Sequence, residues 1–450
     1  MASSTTKRAL GFWTTTALVV GNMIGSGIFL LPASLAAYGS IGILAWVVTA
    51  VGALLLALVF ADLSIMIPKV GGPYAYCREG FGEFVGFQIA YNYWIALWVG
   101  NAGIVVALIS YLSTFWTDLT TNSVLSFFVC AGIVWFLTLI NILSIHAAGI
   151  WQLVTSILKV LPLILVATIG FFFFHPEHFT QFNISGQSNF TALAGAGILT
   201  LWSFIGLESA TVPAESVTNP TKTIPRATIV GTLIVAFVYI ISTIALMGML
   251  PMHDLANSNA PYADAAKLIF GSWGQSIIAI GAIISCFGAL NGWILLQGQV
   301  PYAAAKDDLF PRIFNKQTKN KTPIVGLIVS AVLITLLLLL TLHKTLVTQF
   351  TMIILLATLA TVVPYLFTAM AEILILLRKR EEFNKKRFWF STIIAVLAGA
   401  YSFWAIAGAS KEVIYAGSLL FFSSVPIYIW MKWSHSKSPM IAPSQTTDLS

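Results

Sequence analysis

The sequence predicts an all-α integral membrane protein: twelve transmembrane helices forming a 5+5 inverted repeat with helices 1 and 6 broken, plus two peripheral helices. Three observations predict it. Apolar residues make up 58% of the 450 positions and charged residues only 9%, a balance that excludes a globular domain behind a signal peptide. Twelve stretches are long enough, at about 20 residues each, to cross a bilayer. Glycine-bearing interruptions fall in the first and sixth of these stretches, five spans apart.

The twelve segments are expected at 11–38, 41–66, 83–113, 123–143, 148–174, 192–212, 225–249, 275–302, 323–342, 349–377, 388–408 and 412–432. This divides the chain into a tail (1–10), a first five-helix repeat (11–174), a second, inverted repeat (192–377), helices 11 and 12 (388–432) and a second tail (433–450). An even count puts both tails on one side, and Lys and Arg choose which. With the N-terminus in the cytoplasm, 19 of the 23 basic residues fall on inner loops and tails, six of them between Arg378 and Arg387. Lys267, Lys344 and Lys411 fall outside and Lys159 within a span. The asymmetry predicts an inner-membrane protein with both termini cytoplasmic. It also accounts for the net charge of +7 without a nucleic-acid surface. Lys7 and Arg8 lead into a segment too long for a signal h-region and lacking a small-residue cleavage site, so this segment is expected to stay attached.

Segment 1 contains Gly21-Asn22-Met23-Ile24-Gly25-Ser26-Gly27-Ile28-Phe29. Glycine in a helix interior costs about 1 kcal/mol relative to alanine. In lipid, unwound backbone is tolerated only where its N–H and C=O groups line a cavity or meet a ligand. The stretch therefore reads as a mid-membrane binding site, the alternative being close helix packing through Gly21 and Gly25 as G-x-x-x-G. Segment 6 carries the counterpart, Leu201-Trp202-Ser203-Phe204-Ile205-Gly206-Leu207-Glu208-Ser209. The two breaks are expected to face each other. Half-helix N–H groups at Ser26 and Gly27 suit a carboxylate, and the carbonyls of Met23, Trp202 and Ile205 suit an ammonium. Together they form a receptor for an amino acid backbone. Trp202 and Trp293 add aromatic faces for a cationic side chain, worth about 2 kcal/mol when desolvated.

Other chemistries find little support. Cys77, Cys130 and Cys286 are too far apart for a disulfide framework or metal site. No H-E-x-x-H, C-x-x-C or G-x-S-x-G occurs in a span, so neither an enzyme, a metal nor a cofactor is expected. Glu208, one turn past the second break, reads either as a proton-linked group or as a cap. Asp62 and Glu372, near span ends, read as snorkelling or loop-pairing charges.

Several long motifs, in order, carry a resemblance: GNMIGSGIFLLP, GGPYAYCREGFG, TLWSFIGLESA, NPTKTIPRATIVGT, LNGWILLQGQ, DDLFPRIF and VVPYLFT. Over nearly its whole length the chain resembles the amino acid–polyamine–organocation superfamily. Within it, the chain is most similar to the bacterial arginine/agmatine, lysine/cadaverine and putrescine/ornithine antiporters. The resemblance implies a LeuT-like fold, a homodimer, and exchange of a basic amino acid for its decarboxylated amine in acid resistance. It implies that Asn22, Ser26 and Gly27, with Gly25 beside them, hold the carboxylate and that Met23, Trp202 and Ile205 hold the amino group. Trp293 would stack on the side chain with Ala96, Asn101, Ser203 and Ala357 nearby. Tyr74, Tyr93, Glu208 and Tyr365 would form gating and pH-sensing layers.

Two departures open an alternative. Where the arginine antiporter has cysteine, methionine and serine lining the distal pocket, this chain has Leu97, Ile104 and Ala357. Those antiporters also have a small apolar residue in place of Lys159, whereas proton-coupled members elsewhere in the superfamily carry a lysine there. An ionisable group at mid-bilayer is functional by default. Lys159 either releases a proton during the cycle or braces the first break as a fixed ammonium. The alternative reading is a proton-coupled carrier or exchanger of neutral or broader-range amino acids.

Overall fold

An apolar slab offers no hydrogen bonds to a peptide backbone, so a chain of this composition must close its bonds within helices. The computed structural model describes residues 10–67, 72–143, 163–179, 182–211, 217–318 and 322–436; Lys159 lies outside them. The described residues form helices and no sheet, with nine helices long and apolar enough to cross a membrane. This is a multi-pass membrane protein. Three shorter apolar helices, Leu163–Phe173, Asn189–Trp202 and Ile324–Leu340, fall within or across expected segments 5, 6 and 9.

In chain order the principal helices are α1 (Phe12–Met23), α2 (Ser26–Ala36), α3 (Ile41–Met66), α4 (Pro73–Phe81), α5 (Glu83–Leu112), α6 (Ser123–Leu143) and α7 (Asn189–Trp202). They continue as α8 (Pro220–Met249), α9 (Pro261–Lys306), α10 (Ile324–Leu340), α11 (Leu346–Arg378), α12 (Lys385–Ala407), α13 (Lys411–Phe422) and α14 (Ser424–Ser436). Local chemistry sets several starts. Ser188, Thr345, Asn384 and Ser410 each accept a hydrogen bond from the backbone N–H three residues on, capping α7, α11, α12 and α13. Gly82, at φ +92°, turns the chain from α4 into α5. Gly271, at φ +72°, kinks α9, so the expected segment 275–302 is the later part of a longer helix.

The core is organised around α5, which is buried almost throughout and makes its largest interfaces with α11 and α9. The other large interface joins α3 to α8. Helices α3 and α8, α5 and α9, and α6 and α10 occupy the second, third and fourth places of the two expected repeats. Each of these pairs is in contact. A two-fold axis between halves would produce that pattern.

One end of the bundle gathers the basic loops. Arg78 approaches Glu83 at 3.8 Å and Asp307 at 4.0 Å, Lys432 pairs with Glu83 at 2.8 Å, and Arg387 pairs with Asp62 at 2.9 Å. Asp62 therefore behaves as the loop-pairing charge expected. Glu372 does not: its side chain is fully buried and pairs with no loop cation.

Helix α4 is pinned against α11 by Arg378, whose guanidinium donates to the carbonyls of Glu79 and Gly80 at 2.8 and 3.0 Å. These carbonyls belong to the last turn of α4, where intrahelical donors run out. Arg378→Ala is expected to remove about 1–2 kcal/mol of stability, seen as a Tm lowered by a few degrees in detergent, with substrate preference unchanged. An unaltered Tm would mean that α4 is held by its apolar contacts alone.

Candidate functional site

Helix α1 stops at Met23, where Ile24 turns extended (φ −77°, ψ 95°), and α2 starts afresh at Ser26 after Gly25 (φ −136°, ψ −139°). The first interruption is thus two residues long. Gly25 does not occupy the left-handed region, and a Cβ there would meet only Ala289 at an ordinary 3.5 Å. Close packing through that glycine is therefore not what the break serves. No side chain caps the start of α2, which leaves its first N–H groups to the site.

The second interruption begins where α7 ends at Trp202. Residues 203–208 run as turns into a short 3-10 helix, Ser209–Thr211. The expected segment 192–212 is therefore helical only to Trp202 before this turn.

The two breaks meet. A Cβ on Gly27 would lie 2.5 Å from Ser203 Oγ and 3.0 Å from Trp202 Cδ1. Gly206, at φ +108°, lies so close that its Cβ would sit 3.2 Å from the Asn22 carbonyl. Both positions need glycine, Gly27 for close approach and Gly206 for approach and backbone angle alike.

Two small cavities of about 20 Å³ each lie against these contacts. The proximal one is lined by Asn22, Met23, Gly25, Ser26, Gly27 and Ser203. The distal one is lined by Tyr93, Ala96, Leu97, Gly100, Asn101 and Thr361. Ile104, Trp202, Ile205 and Trp293 border both. Each has room for about one water molecule. The six-membered ring of Trp202 rests on Gly100, where a Cβ would come within 2.9 Å of Cη2.

Unpaired polar atoms mark the walls. Ser26 Oγ, Ser203 Oγ and Asn101 Oδ1 are buried without a hydrogen-bond partner. Asn101 spends its amide N–H on Gln297 Oε1 at 2.7 Å, leaving Gln297 Nε2 unpaired as well. Buried polar groups are normally satisfied, and leaving one unpaired costs about 1–3 kcal/mol. Among the expected ammonium acceptors, the Met23 carbonyl already accepts from Tyr239 Oη at 2.7 Å and the Trp202 carbonyl from Ile205 N at 3.2 Å. Each retains a second lone pair.

Glu208, fully buried, joins the second break to the core. Oε1 accepts from Tyr93 Oη at 2.7 Å, and Oε2 accepts from Tyr365 Oη at 2.5 Å and Gly206 N at 3.1 Å. Tyr74 stands apart from this cluster, donating to Asp307 at 3.2 Å at the basic end. Burial and the Asp307 carboxylate hold its phenol well above the ordinary tyrosine range, so it remains a donor through neutral pH.

Most of the residues expected at the site line one or other cavity. Ala357 lines neither: it is buried behind Gly100, and Thr361, one turn further along α11, reaches the distal cavity instead. Sequence reasoning missed Gly100, Gln297, Thr361 and Tyr239. Gln297 and Thr361 were signalled as polar residues one helical turn from Trp293 and Ala357. Nothing local marks Tyr239, which reaches Met23 from α8.

Gly206→Ala is expected to leave a folded, membrane-inserted protein whose affinity for its amino acid ligand falls at least tenfold, because both Asn22 and the backbone must shift. Calorimetric titration of the purified variant checks this, and wild-type affinity would show that the contact between the breaks does not shape the site. Tyr93→Phe and Tyr365→Phe, each depriving Glu208 of one donor, are expected to cost about 1–3 kcal/mol of stability, read from thermal melts against wild type.

The amino acid permease family profile matches residues 10–431. The chain is 36% identical to the cadaverine/lysine antiporter of Escherichia coli (strain K12), covering 90% of each chain. It is also 36% identical to a Bacillus subtilis (strain 168) protein provisionally named arginine/ornithine antiporter, over 93% of this chain and 96% of that one. Identity to the putrescine transporter PotE of Haemophilus influenzae (strain ATCC 51907 / DSM 11121 / KW20 / Rd) is 34%, over 92% of this chain and 94% of the relative. With its two facing helix breaks and a family match spanning almost its whole length, the chain belongs to the amino acid permease family of the amino acid–polyamine–organocation superfamily.

Proposed function

We propose that this chain is a secondary transporter working by alternating access, exchanging a basic amino acid for its decarboxylated amine across the inner membrane. The observation that carries the reading is the meeting of the two breaks, with unpaired Ser26, Ser203 and Asn101 groups distributed around Trp202 and Trp293. A zwitterion answers those groups: its carboxylate at the uncapped start of α2, its ammonium at the carbonyls of Met23, Trp202 and Ile205. The side chain then passes between the tryptophan rings toward Asn101. The printed names of the relatives supply the substrate class, amino acids and amines of the lysine, ornithine, cadaverine and putrescine type.

Neither cavity admits an amino acid as it stands, so binding requires the Trp202 or Trp293 ring to move. We place both termini in the cytoplasm, supported by the basic loops gathered at one end, and carry forward the homodimer. Glu208, Tyr93 and Tyr365 serve as the gate-linked cluster, with Tyr74 in a separate layer.

A second reading is favoured by the distal wall. Leu97 and Ile104 line it with hydrocarbon, which suits a less polar side chain. Together with Lys159 it supports proton-coupled transport of neutral or broader-range amino acids.

Three measurements test these readings. Ser26→Lys is expected to abolish arginine binding in folded protein while weakening agmatine, which lacks a carboxylate, much less; equal losses would remove the carboxylate assignment. Trp293→Leu is expected to weaken cationic ligands by about 1–2 kcal/mol, roughly tenfold, and Trp293→Tyr far less. Unchanged affinity in the leucine variant would place that ring outside the pocket. In proteoliposomes, Lys159→Ala is expected to lose gradient-driven net uptake and keep binding if the lysine shuttles a proton. Wild-type exchange indifferent to an imposed proton gradient would eliminate the proton-coupled reading.

A further inference from the structure

The largest cavity described, about 310 Å³, lies outside the transport site, at the basic end between α3, α11 and α12. Its polar wall is made by Asp62, Glu372, Arg387 and Ser391. Asp62 is satisfied on both oxygens, Oδ1 by Arg387 at 2.9 Å and Oδ2 by Ser391 Oγ at 2.6 Å. Glu372 is different. It is fully buried, faces the Asp62 carboxylate, and neither of its oxygens has a hydrogen-bond partner of ordinary geometry. A buried carboxyl group without donors is costly and rare. With Glu372 ionised, two carboxylates stand against one guanidinium and the pocket is one positive charge short.

The rim of the cavity is apolar. Phe390 is 63% exposed and Ile65 36% exposed, beside Leu58 and Ile394. In a membrane-spanning bundle, such a rim meets acyl chains. The cavity is far larger than a bare metal ion, and Arg387 beside it disfavours one. A group with a cationic head, an adjoining anion and an apolar tail matches all three walls. Both Glu372 oxygens want donors, and a primary ammonium has three N–H groups to give while a quaternary one has none.

We propose that this cavity is a binding site for a primary ammonium group, seated between Glu372 and Asp62, with an adjoining phosphate on Arg387. Phosphatidylethanolamine of the surrounding leaflet supplies both groups; free ethanolamine-type amines supply the ammonium alone. This site is independent of the transport reading.

The test uses the full chain in nanodiscs of phosphatidylcholine, with phosphatidylethanolamine introduced stepwise or phosphoethanolamine and ethanolamine added in solution. Phosphatidylethanolamine is expected to raise the Tm of wild type by several degrees. Glu372→Gln should lose most of that rise while melting no lower than wild type in pure phosphatidylcholine; Asp62→Asn, whose baseline Tm falls with the loss of the Arg387 pair, should lose most of the rise measured from its own baseline. A carboxylate-dependent rise from the lipid assigns the headgroup as the source, and one from the soluble amines alone assigns a free amine. A rise that survives both substitutions, or no rise from any amine, overturns the proposal, as would be seen if Glu372 simply holds its own proton against Asp62. A second measurement needs no variant. Labelling of Glu372 in wild type by dicyclohexylcarbodiimide, located by mass spectrometry, should slow several-fold when the amine is present, and an unchanged rate also overturns the proposal.

Discussion

The carboxylate of Glu208 is held by three donors from three directions: Tyr93 on α5, Tyr365 on α11, and the backbone N–H of Gly206 within the second break itself. Burying an unpaired carboxylate in this interior would cost several kcal/mol. Charge-assisted hydrogen bonds worth about 1.5–3 kcal/mol apiece offset that cost only while all three donors stay in place. The break at residues 203–208 is therefore fixed relative to α5 and α11. Gly206, so placed, fixes the position of Asn22 across the gap, and the rest of the site inherits its geometry from that contact.

A polar site in an apolar slab also has to settle where its hydrogen bonds go before the ligand arrives. Here two of the break carbonyls already have a partner, Met23 in Tyr239 and Trp202 in its own turn. The side chains are less well served, since Ser26, Ser203, Asn101 and Gln297 each retain an unpaired atom. Unmet demand thus sits on side chains that can reorient as well as on the uncapped start of α2. This combination favours a polar ligand entering over the site filling itself with hydrocarbon.

Much of this was legible in the sequence. Two glycine-interrupted apolar segments five spans apart indicate two breaks that face each other, since membrane helices are broken only where cavity or protein receives the backbone. The reasons for individual glycines were not legible. Gly25, read as part of a G-x-x-x-G packing face or as a neighbour of the carboxylate site, would meet only an ordinary contact, whereas a Cβ would collide across the gap at Gly27 and be crowded against Asn22 at Gly206. Those collisions depend on a partner nearly two hundred residues away. Ala357 was expected at the distal pocket through resemblance, but the helical phase of α11 brings Thr361 there instead. Tyr239 and Glu372 were unreadable for the same reason: what each faces is decided by packing between α8 and α1, or between α11 and α3, rather than by neighbours in sequence.

The Trp202 ring borders both cavities and rests on Gly100, where any Cβ would collide with it. With Ile104, Ile205 and Trp293, it forms the partition between the two small chambers. For inhibitor discovery, rigid docking into this conformation would retrieve only fragments the size of a solvent molecule and rank genuine ligands as clashes. A useful screen has to begin from rotated positions of that indole, and a compound that wedges behind it, against Gly100, would jam the carrier without resembling any substrate.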